Sequence, residues 1–462
     1  MIEVEPSAHW VKAAANPQPR GSRRKLAELD ALSRPVILHG VGYPVGGATC
    51  DQAHHVPEFR RWAEALDAPW VSEHLSVFDV AQDGAARCLG FLMPPVQSEA
   101  GVRLAAANIV ARRGRIGRPF AFETGVSYLP RQAWEMPDGD YFAGVAEAAD
   151  CGVLLDLNNL WVNERNGRGK VADVLAALPL ERVWELHLAR ADLVDGVWLD
   201  AHSGAIDPQL AALAADVVAD LPNLGAIIFE VSADRLPGFG EADLLAQMET
   251  LHDLWSVAGS GRSAPLRRAR SQCAQGRDAP SPQAWESGLA RGLAAGDTSC
   301  EPAFALYSRL ILAVRKGAVA DLLANSISVL LRALGPEAFD SLFAAYALTS
   351  APALFPNAEA LVFASFLEDR AKDIPGLGDI LAFEAALVTA TSEGRAVRVE
   401  LTCDIEALLA AVAAAAPLAD VVPGPCALEI TVTPRPSIRR LAAHAPRACS
   451  GQMEPADPSN RL

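Results

Sequence analysis

Seven short apolar runs, separated by amphipathic stretches, mark the first 258 residues of the chain. The runs span residues 2–6, 35–42, 69–77, 119–125, 152–159, 183–190 and 226–231. Apolar runs without polar alternation are typical of parallel strands that are covered on both faces. Repeated strand–helix units without a glycine-rich phosphate loop favour a TIM-type (β/α) barrel over an open dinucleotide-binding sheet. Because seven runs are one fewer than such a barrel contains, we expect its first strand to be missing or supplied otherwise.

The second half of the chain has a different pattern, which predicts a linker and a second domain after the barrel of residues 1–258. Residues 259–285 are rich in Gly, Ser, Pro and Arg, and we interpret them as a solvated linker. Residues 286–435 have mainly helical spacing with two late strand-like runs, so we expect a mainly helical α+β domain. The Pro/Arg/Ala-rich residues 436–462 are expected to form a frayed tail.

Composition and charge narrow the possible partners. The chain of 462 residues is 51% hydrophobic and 21% charged, which predicts a globular protein of more than one domain. Its formal net charge of −16 opposes binding to nucleic acid or to an anionic membrane. The amino terminus lacks a signal pattern, so we expect a cytoplasmic protein. The eight cysteines have no CxxC spacing, and we interpret them as reduced thiols.

Six of the seven apolar runs end in a side chain that can bind a metal ion. These side chains are His39, His74, Glu123, Asp156, His187 and Glu230, and the segment between the last two runs adds Asp200 and His202. Because the carboxyl ends of barrel strands meet at one face, we expect these residues to converge. Buried charges are costly unless they are paired or bound to metal, so this set predicts a site for several cations.

Each of these residues alone has a plainer interpretation. A histidine such as His39 after an apolar strand is more often a hydrogen-bonded core residue. Glu123 or Glu230 alone could form a salt bridge inside the barrel. Asp156 could cap the helix that follows it, and Asn158 with Asn159 could serve its turn. The coincidence of such residues at six strand ends favours the metal site.

Residues outside this pattern are predicted to have other roles. Glu185 lies two positions before His187 on the same strand face, so we expect it to orient a neighbouring ligand rather than to bind the metal. The histidines at 9, 54, 55, 252 and 444 are predicted to lie at the surface.

Seven motifs, in this order, resemble the DUF692 family of multinuclear non-haem iron-dependent oxidative enzymes, which is related to methanobactin-biosynthesis oxidases. They are HGVG (39–42), SEHL (72–75), FETGVSYL (122–129), LLDLNNLWVN (154–163), ELHLA (185–189), LDAH (199–202) and FEV (229–231). The resemblance covers residues 1–258 and extends to the wider xylose-isomerase-like barrels. It implies that the eight histidines and carboxylates named above are iron ligands, and that either Asn158 or Asn159 is a further one.

The chain departs from the family's pattern at two motifs. The family commonly has Ser-Asp-His where this chain has Ser72-Glu73-His74, which keeps the ligand and lengthens its neighbour. Many members have Glu-Asn-Pro where this chain has Glu123-Thr124-Gly125, so the substrate wall there is expected to differ.

The second half resembles, less specifically, the small DUF2063-like partner proteins encoded beside DUF692 enzymes. The matching stretch is 305–343, in which Tyr307 and Arg309 fit the partner pattern. Those partners recognise a precursor peptide, so the resemblance implies that enzyme and partner are fused in this chain. A helical accessory or dimerisation domain is the alternative, with Tyr307 as a packing residue and Arg309 as a surface residue.

By this resemblance the chain holds two or three iron ions (Fe2+/Fe3+). It would use O2 to oxidise cysteine residues of a ribosomally synthesised precursor peptide. No residue beyond the metal ligands is assigned a catalytic role. A trinuclear zinc phosphodiesterase of the endonuclease-IV-like kind is one alternative on the same barrel, although clustered basic residues for DNA are lacking. A sugar isomerase or epimerase is another, and a metal- or peptide-binding adaptor without turnover is a third.

Overall fold

The runs predicted to be strands form one parallel sheet of seven strands, which is curved into a nearly closed barrel. The first thirteen strands of the chain are β1 (Ile2–Val4), β2 (Trp10–Val11), β3 (Arg20–Gly21), β4 (Val36–Gly40), β5 (Val71–His74), β6 (Val77–Gln82), β7 (Ala85–Met93), β8 (Phe120–Glu123), β9 (Gly152–Asp156), β10 (Val183–Leu188), β11 (Ala191–Val194), β12 (Val197–Asp200) and β13 (Ala226–Phe229). The order in the barrel sheet is β1-β4-β5-β8-β9-β10-β13. The predicted barrel is confirmed.

The computed structural model describes residues 1–13, 16, 18–49, 54–82, 85–233, 235–260, 279–295, 301–432 and 437–441. The chain divides into two units. Unit 1 comprises Met1–Asp321 and Asp340–Val362, and unit 2 comprises Leu322–Phe339 and Phe363–Leu462. Most of the predicted linker, residues 261–278, and the end of the predicted tail, residues 442–462, lie outside the described residues. The domain boundaries predicted at 258, 285 and 435 stay predictions.

Helices follow most barrel strands and make up most of the second half. They are α1 (Arg23–Asp30), α2 (Val56–Ala65), α3 (Glu99–Ile116), α4 (Asp138–Ala149), α5 (Leu157–Arg165), α6 (Val171–Ala177), α7 (Pro208–Ala219), α8 (Glu241–Val257), α9 (Pro282–Ala295), α10 (Pro302–Leu322), α11 (Ala324–Leu334), α12 (Pro336–Thr349), α13 (Pro356–Leu367), α14 (Leu377–Glu393) and α15 (Ile405–Ala413). Several begin at a capping side chain: Ser98 accepts a hydrogen bond from the backbone of α3, and Asp207 accepts one from that of α7.

The register of the parallel strands sets the candidate ligands level with one another. His74 on β5 is paired with Glu123 on β8, and Asp156 on β9 is paired with His187 on β10. All five residues of β4, including His39, are buried. Charged side chains on a strand that is buried on both faces cannot be hydrated by solvent, so the histidines and carboxylates of neighbouring strands contact one another instead.

Two hairpins extend unit 1 beyond the barrel, and the apolar runs did not predict them. Strand β6 pairs with β7, and β11 pairs with β12 in the segment that carries Asp200. Helices α9 and α10 pack on the first hairpin in a buried apolar cluster. This cluster includes Val80, Met93, Leu289 and Tyr307.

Unit 2 combines helices with a small antiparallel sheet, as predicted for the region after the linker. The sheet order is β14 (Val397–Cys403), β15 (Pro423–Thr431) and β16 (Ser437–Leu441). Strand β16 falls in the segment predicted to be a frayed tail, and its pairing with β15 accounts for its order. The buried carboxylate of Glu384 accepts hydrogen bonds from the backbone of Asn325 and Ser326, which fixes the start of α11.

The described helices were also compared with the length and apolarity of a membrane span. None of them meets both requirements alone, and one bent pair of consecutive helices, α10 with α11, meets them only when the two are taken together.

Candidate metal centre

The first part of the centre is a group of two histidines around one carboxylate. Nε2 of His39 lies 3.2 Å from Oε2 of Glu123, and Nε2 of His74 lies 3.0 Å from the same oxygen. The other ring nitrogens are engaged elsewhere, since Nδ1 of His39 is 2.9 Å from Oγ of Ser72 and Nδ1 of His74 is 3.1 Å from the carbonyl of Gly40. Both Nε2 atoms are therefore directed to a common point beside Glu123.

Charge within this group is strongly coupled. Burial alone would raise the pKa of Glu123, but the imidazoles of His74 and His39 outweigh it and hold that pKa well below its usual range. Burial opposes a charged His39, yet the carboxylates of Glu3 and Glu123 raise its pKa to about 9. In the metal-free protein, protons on the histidines therefore balance the carboxylates, and a bound cation would take over that function.

Asp156 and His187 extend the group across the next two strands. Ligand atoms of Glu123, Asp156 and His187 all lie within 4.8 Å of one another. Burial raises the pKa of Asp156 well above its usual range, and the nearby charges of Glu123, Asp200 and Glu230 raise it further. Asp156 also caps α5, as one alternative predicted, because Oδ1 accepts a hydrogen bond from the backbone of Asn159. Its Oδ2 has no hydrogen-bond partner within the described part of the chain, so capping accounts for only one of its oxygens.

The third part of the centre is more exposed and contains Asp200, His202 and Glu230. Nε2 of His202 lies 3.0 Å from Oδ1 of Asp200 and 3.7 Å from Oε2 of Glu230. Oε2 of Glu230 is also 3.1 Å from Nδ1 of His187, which joins this part to the buried one. His202 has a φ of 48°, a left-handed conformation that is uncommon for a residue with a side chain and is often found at functional sites.

The two asparagines have different environments. Asn158 donates from Nδ2 to Oδ1 of Asp200 at 2.7 Å, and its own Oδ1 accepts no hydrogen bond from any residue that the structure describes. Asn159 donates from Nδ2 to Oε1 of Glu123 at 3.1 Å and to the carbonyl of Thr124. Asn158 is therefore placed beside the exposed part of the centre, whereas Asn159 holds the carboxylate of Glu123.

A second layer of carboxylates surrounds His187, and one member was not predicted. Oε1 of Glu185 lies 3.7 Å from Nε2 of His187, and Trp70 donates from Nε1 to the other oxygen of Glu185 at 3.0 Å. Oε2 of Glu3, on β1, is 3.1 Å from the same ring nitrogen. Burial raises the pKa of Glu3 to about 7. The signal for Glu3 was available, because it is a charged residue in the middle of an apolar strand.

The prediction that the remaining histidines lie at the surface is wrong for His55. Its side chain is buried against the ring of Tyr43, with the ring centroids 3.3 Å apart. Burial lowers the pKa of His55 well below its usual value, so it packs as a neutral ring. His55 occupies the N-terminal boundary of α2, where periodicity gives little information about burial.

Several buried polar atoms of the centre lack a hydrogen-bond partner among the described residues. They are Oδ2 of Asp156, Oδ1 of Asn158 and Oδ1 of Asn159. Native proteins rarely leave such atoms unsatisfied, and a cluster of them is explained by an ion or water. Imidazole nitrogens with carboxylate and amide oxygens form a donor set that suits iron and similar cations. The residues present therefore fit a multinuclear metal site.

Fold and site together define a (β/α) barrel with a histidine- and carboxylate-rich candidate metal centre at the carboxyl ends of its strands. Residues 1–254 match the family model described as RiPP precursor modification enzyme MbnB/TglH/ChrH, where RiPP denotes a ribosomally synthesised, post-translationally modified peptide. The chain belongs to this family, which confirms the resemblance to DUF692.

Curated relatives agree with this assignment. A UPF0276 protein of Anaeromyxobacter sp. (strain Fw109-5) is 30% identical over 229 residues, which cover 49% of this chain and 80% of that protein. A UPF0276 protein of Chromobacterium violaceum is 31% identical over 214 residues, which cover 45% and 75%.

Solved structures of sugar epimerases show a more distant likeness. The structure of L-ribulose 3-epimerase is 15% identical with a TM-score of 0.35, covering 59% of this chain and 99% of that one. A D-tagatose 3-epimerase-like protein is 12% identical with a TM-score of 0.33, covering 51% and 84%. These values have no bearing on activity.

Proposed function

We propose that this chain is a multinuclear non-haem iron enzyme that uses O2 to oxidise cysteine residues of a ribosomally synthesised precursor peptide. The observation that carries the proposal is the convergence of four histidines and four carboxylates at one end of the barrel. Buried oxygens of Asp156, Asn158 and Asn159 there have no hydrogen-bond partner among the described residues. Membership in a family of RiPP precursor modification enzymes supports a peptide substrate.

The proposed ligands fall into three overlapping sets. His39, His74 and Glu123 would hold one ion, and Glu123, Asp156 and His187 would hold a second. Asp200, His202 and Glu230 would hold a third, with Oδ1 of Asn158 as a further donor. Shared carboxylates keep such ions close together and orient their open positions.

Ligand positions are supported by residues that do not bind the ions. Asn159 fixes one oxygen of Glu123 by a hydrogen bond. Glu185 and Glu3 lie beside Nε2 of His187, whereas Glu230 lies beside Nδ1 of the same ring. Carboxylates in such places set the tautomer of a ligating histidine and strengthen it as a donor.

Iron bound in the centre would supply the redox chemistry, in which electrons pass from the cysteine to O2 as the oxidant. The side chains of Asp200 and His202 are 19% and 28% exposed, whereas that of His39 is 2% exposed. A peptide thiol can therefore approach from the Asp200 side, while the His39 side excludes water. A positioned thiol and a dry inner wall would favour one reaction at one cysteine.

We also propose that the region after the linker recognises the peptide in the same chain. Its resemblance to the partner proteins supports this role, and a linker between enzyme and partner raises their effective concentration. Arg309, which fits the partner pattern, is exposed and pairs with Asp195 at 3.1 Å, so it remains accessible to a ligand at the surface.

The test is to express the full chain with a short cysteine-containing peptide encoded beside its gene, under iron-replete and aerobic conditions. We expect two or three irons per chain and a mass change in the peptide that is absent when its cysteines are replaced by serine. His187→Ala and Asp200→Ala should each lose iron with limited unfolding. Zinc alone in the purified protein, or unchanged iron in both variants, would contradict the proposal.

A further inference from the structure

Tyr307, on α10 after the linker, is connected to the candidate metal centre through hydrogen bonds that enter the barrel. We propose that Tyr307 is a positioning residue for the metal centre, acting through Tyr128 on Asp200. The inference rests on the metal centre proposed above and does not depend on which substrate is oxidised. It assigns to the second half of the chain a task inside the barrel, besides any recognition of a peptide.

The first connection joins α10 to the loop that follows β8. Tyr307 is completely buried, and its Oη accepts a hydrogen bond from the backbone N–H of Tyr128 at 3.1 Å. The two rings also pack edge to face, with centroids 5.4 Å apart. A buried N–H needs an acceptor, and the tyrosine hydroxyl supplies it here in place of a strand or helix partner.

The second connection joins the same loop to the metal centre. Oη of Tyr128 accepts a hydrogen bond from the backbone N–H of Asp200 at 3.1 Å. Asp200 is the last residue of β12 and directs its carboxylate to His202 and Asn158. The position of the Tyr128 hydroxyl therefore bears on the position of a proposed ligand.

The loop between these connections is otherwise fixed from the inner side. Asn163 accepts a hydrogen bond from the backbone of Ser127 and donates one to the carbonyl of Gly125. The loop begins directly after the proposed ligand Glu123. Through Tyr128 it also contacts a second proposed ligand, Asp200. On the other side of the loop, the hydroxyl of Tyr307 accepts the hydrogen bond from Tyr128. Asn163 and Tyr307 together therefore fix the position of Tyr128.

A packing role for Tyr307 makes a different prediction from a positioning role. The ring contacts Phe91 and belongs to the apolar cluster between α10 and the hairpin β6–β7, and phenylalanine would keep those contacts. The hydroxyl alone serves the connection to Tyr128. Tyr307→Phe therefore separates the two roles.

The experiment titrates the metal-free full chain with cobalt(II), whose visible ligand-field bands report on each site. For Tyr307→Phe we expect about 10- to 100-fold weaker binding of one cobalt ion, the loss typical of outer partners of metal ligands, together with an altered band for that ion. Tyr128→Phe keeps Tyr307 intact and should weaken the same ion. The remaining ions should bind as in the wild type.

The matched control is Tyr346→Phe, which removes another buried hydroxyl from unit 1. Oη of Tyr346 donates to Glu359 at 2.7 Å, outside the metal centre. This variant should melt at a lower temperature with an unchanged cobalt titration. Tyr307→Phe that titrates like the wild type, or changes only as Tyr346→Phe does, would overturn the inference. A wild-type chain that binds no cobalt would overturn the metal centre itself.

Discussion

The buried and exposed parts of the candidate centre are built in different ways. His39, Glu123, Asp156 and His187 stand on paired strands of the barrel, and all four are buried. Asp200, His202 and Glu230 lie at or beyond strand ends, and their side chains are 15–28% exposed. The sheet fixes the first group. In the second group, Asp200 is held by a hydrogen bond from Asn158 to its carboxylate and by one that its backbone N–H donates to the hydroxyl of Tyr128. We expect the buried part to bind its ions more tightly and the exposed part to meet the substrate.

The largest effect is expected for Glu123→Gln, because this carboxylate is shared by His39 and His74. Removing its charge should weaken binding in the buried part by more than about 100-fold, beyond the loss typical of outer partners. Metal analysis after gel filtration measures the result. Glu135→Gln is the control, since Glu135 is a buried carboxylate paired with Arg168 outside the centre. Equal metal content in both variants would remove Glu123 from the ligand set.

His39→Ala and His202→Ala compare the two parts directly. His202→Ala should lose about one equivalent of metal and retain the others, because its neighbours in the barrel keep their positions. His39→Ala should cost more metal, since Glu123 would lose one of the two imidazoles beside it. Isothermal titration of each metal-free variant gives the stoichiometry. If His202→Ala lost all metal, the two parts would not be separable as described.

Removing the metal should destabilise unit 1, because an ion that binds only the folded state adds to its free energy of unfolding. An ion present at 100 times its dissociation constant contributes about 2.7 kcal/mol to the free energy of unfolding. The melting temperature should therefore fall on chelation and recover as metal is added back. An unchanged melting temperature across the titration would show that no ion binds specifically to the folded state.

The two asparagines should respond differently to replacement by aspartate. Asn158→Asp sets a second carboxylate beside Asp200, but the ion proposed beside Asp200 and His202 would offset that charge, so this variant should retain metal. Asn159→Asp replaces a donor to Glu123 with an acceptor and sets two carboxylates against each other, which should weaken metal binding about tenfold. Metal titration of both variants decides between them. The reverse ranking would identify Asn159 as the ligand.

The smallest effect is expected for Trp70→Phe, which removes the hydrogen bond from the indole to Glu185. Glu185 faces His187 from outside the ligand set, so the loss should stay below about tenfold in metal affinity. Trp285→Phe is the matched control, because it removes an indole hydrogen bond to the carbonyl of Pro94, outside the centre. A loss as large as that of Glu123→Gln would indicate that Glu185 binds metal itself.

The sequence pattern predicted the barrel well because all seven of its strands are short apolar runs and six of these runs end in a residue that can bind a metal ion. The convergence of His39, Glu123 and His187 followed from the rule that parallel strands share one active face. The choice between Asn158 and Asn159 could not be made in this way, since both lie in the first turn of α5 and only side-chain contacts distinguish them.

Other features depend on contacts that no local pattern contains. The position of Glu3 in an apolar strand marks it as unusual, but its partner, His187, is distant in sequence and is known only from the structure. Tyr307 matches the pattern of the partner proteins, but its hydrogen bond to Tyr128 joins residues on opposite sides of the linker, and the sequence contains no local signal for it. Strand β16 was assigned to the tail because the segment around it is rich in Pro, Arg and Ala, and its pairing with β15 outweighed that composition.

The most direct test of the shared metal centre is an anomalous diffraction map of the iron-loaded crystal, recorded on both sides of the iron absorption edge. We predict two or three iron peaks within the cluster, one of them beside His39, His74 and Glu123 and another beside Asp200, His202 and Glu230. A map without iron peaks there, or with a single peak away from these side chains, would contradict the account.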